Sequence, residues 1–176
     1  MKTYRRLQAE AVTRDLFAHF VRHQNVVTCW RQGVDGWCQK DDPFIDDWSE
    51  ADYRVLIEDL KATACAGGFV YGAFVDEALK GFVSVRAGLF GGAEGYLDLA
   101  HIYVSEEWRR SGIGTTLFAA AKRWAEGQGA KKLYISAHSA VESQAFYRKM
   151  GCVEAAQADP AHVEAEPFDC QLEYVL

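Results

Sequence analysis

The sequence predicts a mixed α/β domain in which helices flank a central sheet. Short β-rich runs alternate with longer segments whose apolar residues recur at helical spacing, and glycines separate the two kinds of segment. The chain has 176 residues, 49% of them hydrophobic and 25% charged. This size and composition predict one domain over residues 1–176, with a core that needs no disulfide or metal.

The first part of the chain predicts a strand, two helices and a long connection. Thr3–Leu7 predicts a short strand, and Thr13 is a candidate cap for a helix whose apolar residues form one face. Residues 24–47 lack periodicity and contain Gly and Pro, so we expect a long loop with short turns. Ser49, with Asp52 three residues later, has the form of a capping box and predicts the start of the second helix.

The second part of the chain alternates strands and helices. Runs rich in β-branched and aromatic residues predict strands, and apolar stripes that end at glycines predict helices. The predicted strands are Phe69–Val75, Leu79–Ala87, Tyr96–Val104, Lys132–Ala137, Val153–Ala155 and Asp169–Leu176. The predicted helices run from about Gly112 to Glu126 and from Ser139, the first residue of a second capping-box pattern, to Met150.

Charge and cysteine content exclude several classes of protein. The formal net charge of −6 argues against nucleic-acid binding, which requires a basic surface. The sequence has no apolar run of membrane-spanning length and no signal core, so we expect a cytoplasmic protein without a membrane partner. The five cysteines form no C-x-x-C pair, which predicts reduced thiols and no zinc site.

The segment Arg109–Gly114 joins a predicted strand to an amphipathic helix. Free backbone N–H groups at a helix N-terminus, together with the helix dipole, favour an anion at such a junction. Gly112 and Gly114 have no side chain to keep a phosphate away, and Arg109 and Arg110 add positive charge. The Gly-Lys-Ser/Thr of a Walker loop is absent, as is the third glycine of a dinucleotide fingerprint. The segment therefore predicts a phosphate-binding turn of another kind.

This turn and a second segment resemble the GNAT superfamily of N-acetyltransferases. Arg-x-x-Gly-x-Gly, preceded by the apolar strand Leu97–Val104, is similar to the family signature (Gln/Arg)-x-x-Gly-x-(Gly/Ala). The stretch Phe-Tyr-Arg-Lys-Met-Gly-Cys, from Phe146 to Cys152, is similar to the family's Phe-Tyr-x-x-x-Gly-Phe. The order of elements also matches along nearly all of the chain. Cys152 replaces an aromatic residue, Ala140 replaces a frequent Asn, and Glu106 replaces a frequent Pro.

The resemblance implies a mostly antiparallel sheet of about seven strands, splayed between the fourth and fifth predicted strands. It also implies that acetyl-CoA is the acetyl donor, with its pantetheine arm along the free edge of the fourth strand and its pyrophosphate on the turn. A free N–H at or near Ile102 would polarise the thioester carbonyl. The implied cofactor-binding residues are Ile102, Tyr103, Val104, Arg109, Arg110, Ser111, Gly112, Ile113, Gly114, Thr115, His138, Ser143 and Phe146. No metal is expected.

Three residues are candidates for catalysis. The resemblance implies that Tyr147 is the general acid that protonates the departing thiolate. Asp98 is the first candidate for the base that deprotonates the amine, because similar proteins often carry Glu at this position of the strand. His101 is the rival base, and strand alternation predicts that it lies on the face opposite to Asp98. A core tyrosine, a structural carboxylate and a packed histidine are the alternatives for the three.

We expect the acetyl group to move to a primary amine of a small molecule by direct attack. Direct attack is preferred over a covalent intermediate on the enzyme, because the matched motifs contain no cysteine except Cys152. The acidic and aromatic stretch 41–48 either lines a pocket for a cationic amine or serves as a solubilising loop. A protein N-terminus or lysine is an alternative acceptor, and a non-catalytic acyl-CoA sensor is an alternative function. Dimers are frequent among similar proteins, which makes a homodimer an assembly to test.

Overall fold

The computed structural model describes residues 1–176 and contains a seven-stranded sheet, a separate two-stranded sheet and four α-helices. The strands are β1 (Lys2–Arg6), β2 (His23–Gly33), β3 (Gly36–Asp47), β4 (Phe69–Val75), β5 (Ala78–Val85), β6 (Tyr96–Val104), β7 (Lys132–Ala137), β8 (Val153–Glu154) and β9 (Cys170–Val175). The helices are α1 (Glu50–Cys65), α2 (Ile113–Gly127), α3 (Val141–Met150) and α4 (Pro160–Ala165). None of these helices has the length and apolar character needed to cross a membrane.

The large sheet has the strand order β1-β4-β5-β6-β7-β9-β8 and is antiparallel except between β6 and β7. The parallel pairing of β6 with β7 covers only three residue pairs, from Tyr96 with Lys132 to Asp98 with Tyr134. Beyond these pairs the two strands separate. The predicted seven-stranded, mostly antiparallel sheet with a splay between its fourth and fifth strands is therefore confirmed.

A hydrophobic cluster covers each face of the sheet. On one face, α2 buries Ile113 and Leu117 against alternate residues of the sheet. On the other face, α1 buries Leu60 against Phe82, together with side chains from the N-terminal segment. The approach of α2 is close, because a Cβ atom on Gly81 would lie 2.6 Å from Ile113 Cγ2. Packing on both faces fixes the position of β6, the strand that carries the candidate site.

The predicted helix after Thr13 is wrong. This segment forms only a short 3-10 turn at Asp15–Phe17, although Phe17 and Phe20 are buried as a helical face would have them. Residues 24–47 are not a loop, because they form the long β2–β3 hairpin. Apart from an isolated bridge between Cys29 and Ala140, the two strands pair with each other and not with the large sheet, so no face is fully buried and the apolar alternation that would reveal them is missing.

One of the two predicted capping boxes is confirmed and the other is wrong. Ser49 Oγ accepts from the Asp52 N–H, and an Asp52 carboxylate oxygen accepts from the Ser49 N–H at 2.7 Å, as a capping box requires. The N-cap of α3 is instead Ala140, which makes no side-chain cap. The Ser139 hydroxyl is taken by Arg31, whose Nη1 donates to it at 2.5 Å.

Candidate active site

A β-bulge in β6 places the two predicted bases on the same face of the sheet. Ser84 pairs with His101 and Val85 pairs with Leu99, so Ala100 is the extra residue between them. The extra residue shifts the alternation of side chains between the two faces by one position, so Asp98 and His101 share a face. The prediction that Asp98 and His101 lie on opposite faces is therefore wrong.

Both residues join a chain of ion pairs, here called the charge network, which consists of Asp59, Arg86, Asp98, His101 and His162. Arg86 Nη1 donates to Asp98 Oδ2 at 2.8 Å, and Arg86 Nη2 donates to both carboxylate oxygens of Asp59 at 3.0 and 3.1 Å. His101 Nε2 lies 2.8 Å from Asp59 Oδ2, and His162 Nε2 lies 3.1 Å from Asp98 Oδ2. Each member of the network thus has an acidic or basic hydrogen-bonding partner within it.

The pairing shifts the network toward its charged forms. The hydrogen bond to Asp98 raises the pKa of His162 to about 9, and the second ring nitrogen lies 2.8 Å from Asp159. The hydrogen bond from His101 lowers the pKa of Asp59 to about 2. The Asp98 carboxylate is thus held by two basic partners, Arg86 and His162.

The turn between β6 and α2 has the geometry of an anion site. Arg110 and Gly112 adopt left-handed conformations, with φ of 60° and 87°. The backbone N–H groups of Arg110, Gly112, Ile113, Gly114 and Thr115 find no acceptor within the protein. The space around Gly112 is open, since a Cβ there would meet no atom within 4 Å. Such a concavity of free N–H groups at a helix N-terminus favours a phosphate.

The side chains of the turn are arranged differently from expectation. Arg109 turns inward, and its guanidinium donates to the carbonyl of His23 and, at 3.5 Å, to that of Val104. It therefore ties the hairpin to β6, while Arg110 is exposed. Ser111 Oγ donates to the Trp108 carbonyl at 2.5 Å and so stabilises the turn itself.

A further cation at the turn was missed by the sequence analysis. Lys2 Nζ donates to the Ser111 carbonyl at 2.6 Å. Lys2 comes from β1, at the opposite end of the chain from any recognised motif. No local sequence pattern links it to the turn, so only the sheet topology reveals this contact.

The free edge of β6 faces the gap that separates it from β7. The Ser105 N–H donates to the Lys80 carbonyl of β5 at 2.9 Å. Because successive N–H groups of a strand point to opposite sides, those of Ile102 and Val104 point away from β5, into the gap. The Tyr103 side chain lies on the α1 face, where its ring meets Trp48 with centroids 4.8 Å apart. Backbone groups of β6 are therefore available to pair with an extended ligand.

Helix α3 borders both the turn and the gap. The Phe146 ring lies beside the turn, since a Cβ on Gly114 would be 3.2 Å from it. Ser143 is half-buried, one turn earlier on the same helix. Tyr147 is 9% exposed, and burial raises the pKa of its hydroxyl, which has no hydrogen-bond partner in the protein. The Tyr147 hydroxyl thus keeps its proton throughout the neutral pH range.

Four ionisable side chains without ionic partners gather where β6 and β7 part, and we call Tyr103, His138, Tyr147 and Asp169 the open-end cluster. Asp169 accepts a hydrogen bond from Ser136 Oγ at 3.2 Å. Burial, and then repulsion from Glu166, raise the pKa of Asp169 to about 6. The sequence analysis placed Asp169 only at the start of a strand. A carboxylate directly before a buried strand was the one signal available, and it is weak.

His138 follows β7 and is neutral at neutral pH, because burial lowers the pKa of its imidazole. Its Nδ1 accepts from the Ala140 N–H at 3.1 Å, so its other nitrogen carries the ring proton. The Phe44 ring of β3 packs against it with centroids 5.7 Å apart. His138 therefore presents an N–H donor and no free acceptor.

The hairpin covers the open end of the sheet. The Trp30 N–H of β2 donates to the Ser139 carbonyl at 2.8 Å, next to the bridge between Cys29 and Ala140. Most carboxylates in the acidic run of the hairpin are paired with basic side chains nearby. The pairs join Asp42 to Arg31, Asp46 to Arg22 and Asp47 to His23. These carboxylates hold the hairpin in place.

A family comparison agrees with this geometry. Residues 35–152, more than half of the chain and including the turn and all of α3, match the model of the Acetyltransferase (GNAT) family. The chain belongs to the GNAT acetyltransferase family. A search of curated protein sequences gives no match.

Solved structures share the fold of this GNAT acetyltransferase. Nourseothricin acetyltransferase superimposes with a TM-score of 0.68 and 20% identity over 98% of this chain and 95% of that one. A putative streptothricin acetyltransferase from Bacillus anthracis str. Ames, in complex with acetyl coenzyme A, superimposes with a TM-score of 0.67 and 19% identity over 100% of this chain and 98% of that one. For the PaiA N-acetyltransferase from Thermoplasma acidophilum, in complex with coenzyme A, the TM-score is 0.64 and the identity 17% over 100% of this chain and 99% of that one. At such identities the likeness concerns the fold.

Proposed function

We propose that this GNAT acetyltransferase moves an acetyl group from acetyl-CoA to a primary amine of a small molecule by direct attack. The observation that carries the proposal is the alignment of two features at one end of β6. The turn at Arg109–Gly114 offers free N–H groups to an anion, and the adjoining edge of β6 offers unpaired N–H groups to an extended chain. A pyrophosphate followed by a pantetheine arm has this order of chemistry.

In this proposal the backbone N–H groups from Arg110 to Thr115 hold the pyrophosphate, and Lys2 adds positive charge nearby. The backbone of Ile102, Tyr103 and Val104 pairs with the pantetheine arm like an added strand. Phe146 and Ser143 form the α3 wall of the channel. The solved complexes of similar fold with acetyl-CoA and coenzyme A support this assignment.

The chemistry requires a polarised thioester and a proton for the leaving sulfur. An N–H of β6, from Ile102 in our proposal, polarises the carbonyl. Tyr147 is the acid, because its hydroxyl is protonated, faces no protein acceptor and lies at the open end of the gap. Direct attack is favoured, because burial raises the pKa of the Cys152 thiol to about 12 and that of Cys170 to about 11. Neither thiol is a ready nucleophile for an acyl-enzyme.

A small acceptor is favoured by the hairpin. Because β2 and β3 lie against His138 and Ser139, the hairpin covers the open end of the sheet, an arrangement that favours a small acceptor over a protein chain. Two of the proteins with similar folds are named for small-molecule acceptors, nourseothricin and streptothricin. Amines of comparable size therefore form the first panel to screen.

Isothermal titration with acetyl-CoA tests the cofactor site. We expect Gly112→Glu to abolish binding, because it places a carboxylate among the free N–H groups. Gly112→Ala controls for backbone strain at positive φ. Gly129→Glu, just beyond the other end of α2, has a φ of 75° and the same open surroundings, and it should bind normally. Unchanged affinity in Gly112→Glu, or no binding by the wild type, would overturn the proposal.

A turnover assay tests the reaction itself. Release of free coenzyme A thiol is followed with a panel of small amines, with an N-terminal peptide and a lysine peptide as comparators. We expect turnover with a small amine. Hydrolysis-level thiol release with every acceptor, despite tight binding, would replace the enzyme with an acyl-CoA sensor.

A further inference from the structure

We propose that Asp169 is the general base, the group that takes a proton from the acceptor's ammonium before the nitrogen attacks. The inference rests on the proposed function and names the residue that completes it. A primary amine is mostly protonated at neutral pH, and an ammonium group cannot attack a thioester. The site therefore needs a proton acceptor close to the acid and to the splayed edge of β6.

The other candidates around the gap are already occupied. Asp98 is held by Arg86 and His162, and His101 is held by Asp59. Asp46 is paired with Arg22, and His138 uses its acceptor nitrogen for the Ala140 N–H. Asp169 is the half-buried carboxylate at this end of the sheet that has no cationic partner.

The position of Asp169 follows from the register of β9. Ala137 pairs with Cys170, so Asp169 stands beside His138 at the end of β7, where β6 has already separated from it. The charge of Asp169 influences the ionisation of both Tyr103 on β6 and Tyr147 on α3. These two tyrosines border the gap from two sides, so Asp169 faces the place where an amine would approach the thioester.

A chain of hydrogen bonds orients the carboxylate. The Tyr134 hydroxyl donates to Gln171 Oε1 at 2.5 Å, which fixes the Gln171 side chain so that its amide N–H donates to Ser136 Oγ at 3.1 Å. With that oxygen accepting from Gln171, the Ser136 hydroxyl donates its own proton to Asp169 Oδ2 at 3.2 Å. One carboxylate oxygen is thus anchored and the other is left free to take a proton.

The surroundings suit proton exchange near neutral pH. Burial and then Glu166 raise the pKa of Asp169 to about 6, and the Ser136 hydrogen bond opposes them. The other ionisable groups facing it are Tyr147 from α3, Tyr103 from β6 and the neutral His138. Arg31, whose guanidinium lies over the ring of the adjacent Phe168, is paired with Asp42. A base with this pKa is ionised at pH 7 and still accepts a proton.

The step balances as follows. Asp169 takes one proton from the ammonium, and the freed lone pair forms the C–N bond to the acetyl carbon. The C–S bond breaks, and its electron pair leaves on sulfur. Tyr147 gives its proton to the sulfur and recovers one from the acetylated nitrogen. The net products are the acetamide, coenzyme A thiol and the single proton held by Asp169, which is released to solvent.

The first test is the pH dependence of kcat/KM for Asp169→Asn, with an accepted amine. We expect a loss of at least about 100-fold near pH 7, in the range that general bases contribute. The loss should shrink as pH rises toward the pKa of the amine, because a neutral amine needs no base. A purely structural role would give a loss that does not change with pH, and either that result or wild-type rates near pH 7 would overturn the proposal.

The second test shifts the pKa of the base and leaves the base itself in place. Glu166→Gln deletes the nearest like charge, so the acidic limb of the profile should shift to lower pH while the plateau rate is kept. Glu164→Gln, exposed on α4, is the matched control and should leave the limb in place. A limb that does not move in Glu166→Gln would contradict the assignment to Asp169.

The two levels of proposal fail separately. Wild-type protein that neither binds acetyl-CoA nor acetylates any amine would sink the proposed function. Wild-type turnover with unaltered profiles in Asp169→Asn and Glu166→Gln would sink only this inference.

Discussion

The two ends of β6 carry ionisable residues in opposite environments. At the start of the strand, Asp98 belongs to the charge network, where each group has a partner and pKa values move toward the charged forms. At the end of the strand, the open-end cluster is buried or half-buried without counterions, and pKa values move toward the neutral forms. Burial raises the pKa of Tyr103, Tyr147 and Asp169 and lowers that of His138.

This difference separates a structural role from a chemical one. Paired charges lower the free energy of the folded state, whereas unpaired buried groups raise it. Groups kept at such a cost are expected at functional sites, where burial decides which group holds a proton: Tyr147 keeps its own at neutral pH, and Asp169, with a pKa of about 6, is able to take one. In our proposal the network anchors the start of β6, and the cluster exchanges protons at its end. The predictions below test this division, beginning with the largest effect.

Tyr147→Phe should lower kcat by about 100-fold or more, since an acid that protonates a leaving group contributes on that scale. The affinity for acetyl-CoA, measured by titration, should be nearly unchanged because the hydroxyl holds no protein group. Tyr174→Phe is the control, as its hydroxyl only accepts from Lys122 at 2.5 Å. Equal turnover in wild type and Tyr147→Phe would remove the acid role and weaken the division.

Asp98→Asn should lower the free energy of unfolding by about 2 kcal/mol at pH 7. It leaves Arg86 and His162 without their shared carboxylate, and the cost stays below that of a fully buried pair because Arg86 is 44% exposed. Urea unfolding measures the change. Asp76→Asn, which removes an exposed contact with the N-terminus, should leave stability unaltered. Full stability in Asp98→Asn with lost turnover would instead assign Asp98 to catalysis.

His162 should make stability depend on pH. Its pKa rises from 6.5 to about 9 on folding, so its contribution is fully present below pH 6.5 and is lost as pH rises through 9. After discounting for solvent screening, we expect a loss of about 1 kcal/mol between pH 6.5 and 9.5. His162→Gln should flatten this part of the profile, as seen by urea midpoints across pH. A wild-type profile that is already flat would show that the ion pair with Asp98 contributes nothing.

The sequence predicted what is local and missed what depends on pairing across the chain. The turn at Arg109–Gly114 and strand β6 were predicted because glycines and apolar residues mark them directly. The bulge at Ala100 left no such mark, and it reversed the expected relation of Asp98 to His101. The hairpin at 24–47 was missed because its strands pair outside the main sheet and so lack a buried face. Asp169 became a candidate only through the distant partners that surround it.

Asp169→Asn should change stability only modestly, and with the opposite sign. The pKa of this carboxyl rises from 3.8 to about 6 on folding, so the folded state is penalised once Asp169 ionises. The penalty is absent below pH 3.8, grows up to pH 6 and is complete above it. The variant should therefore exceed wild type by about 1 kcal/mol at pH 8 and match it near pH 4, by urea unfolding. A variant that gains stability while losing activity would show that the free energy of folding is sacrificed at the open end of β6 for proton transfer. A variant less stable than wild type at pH 8 would instead place Asp169 among the structural groups, with the charge network.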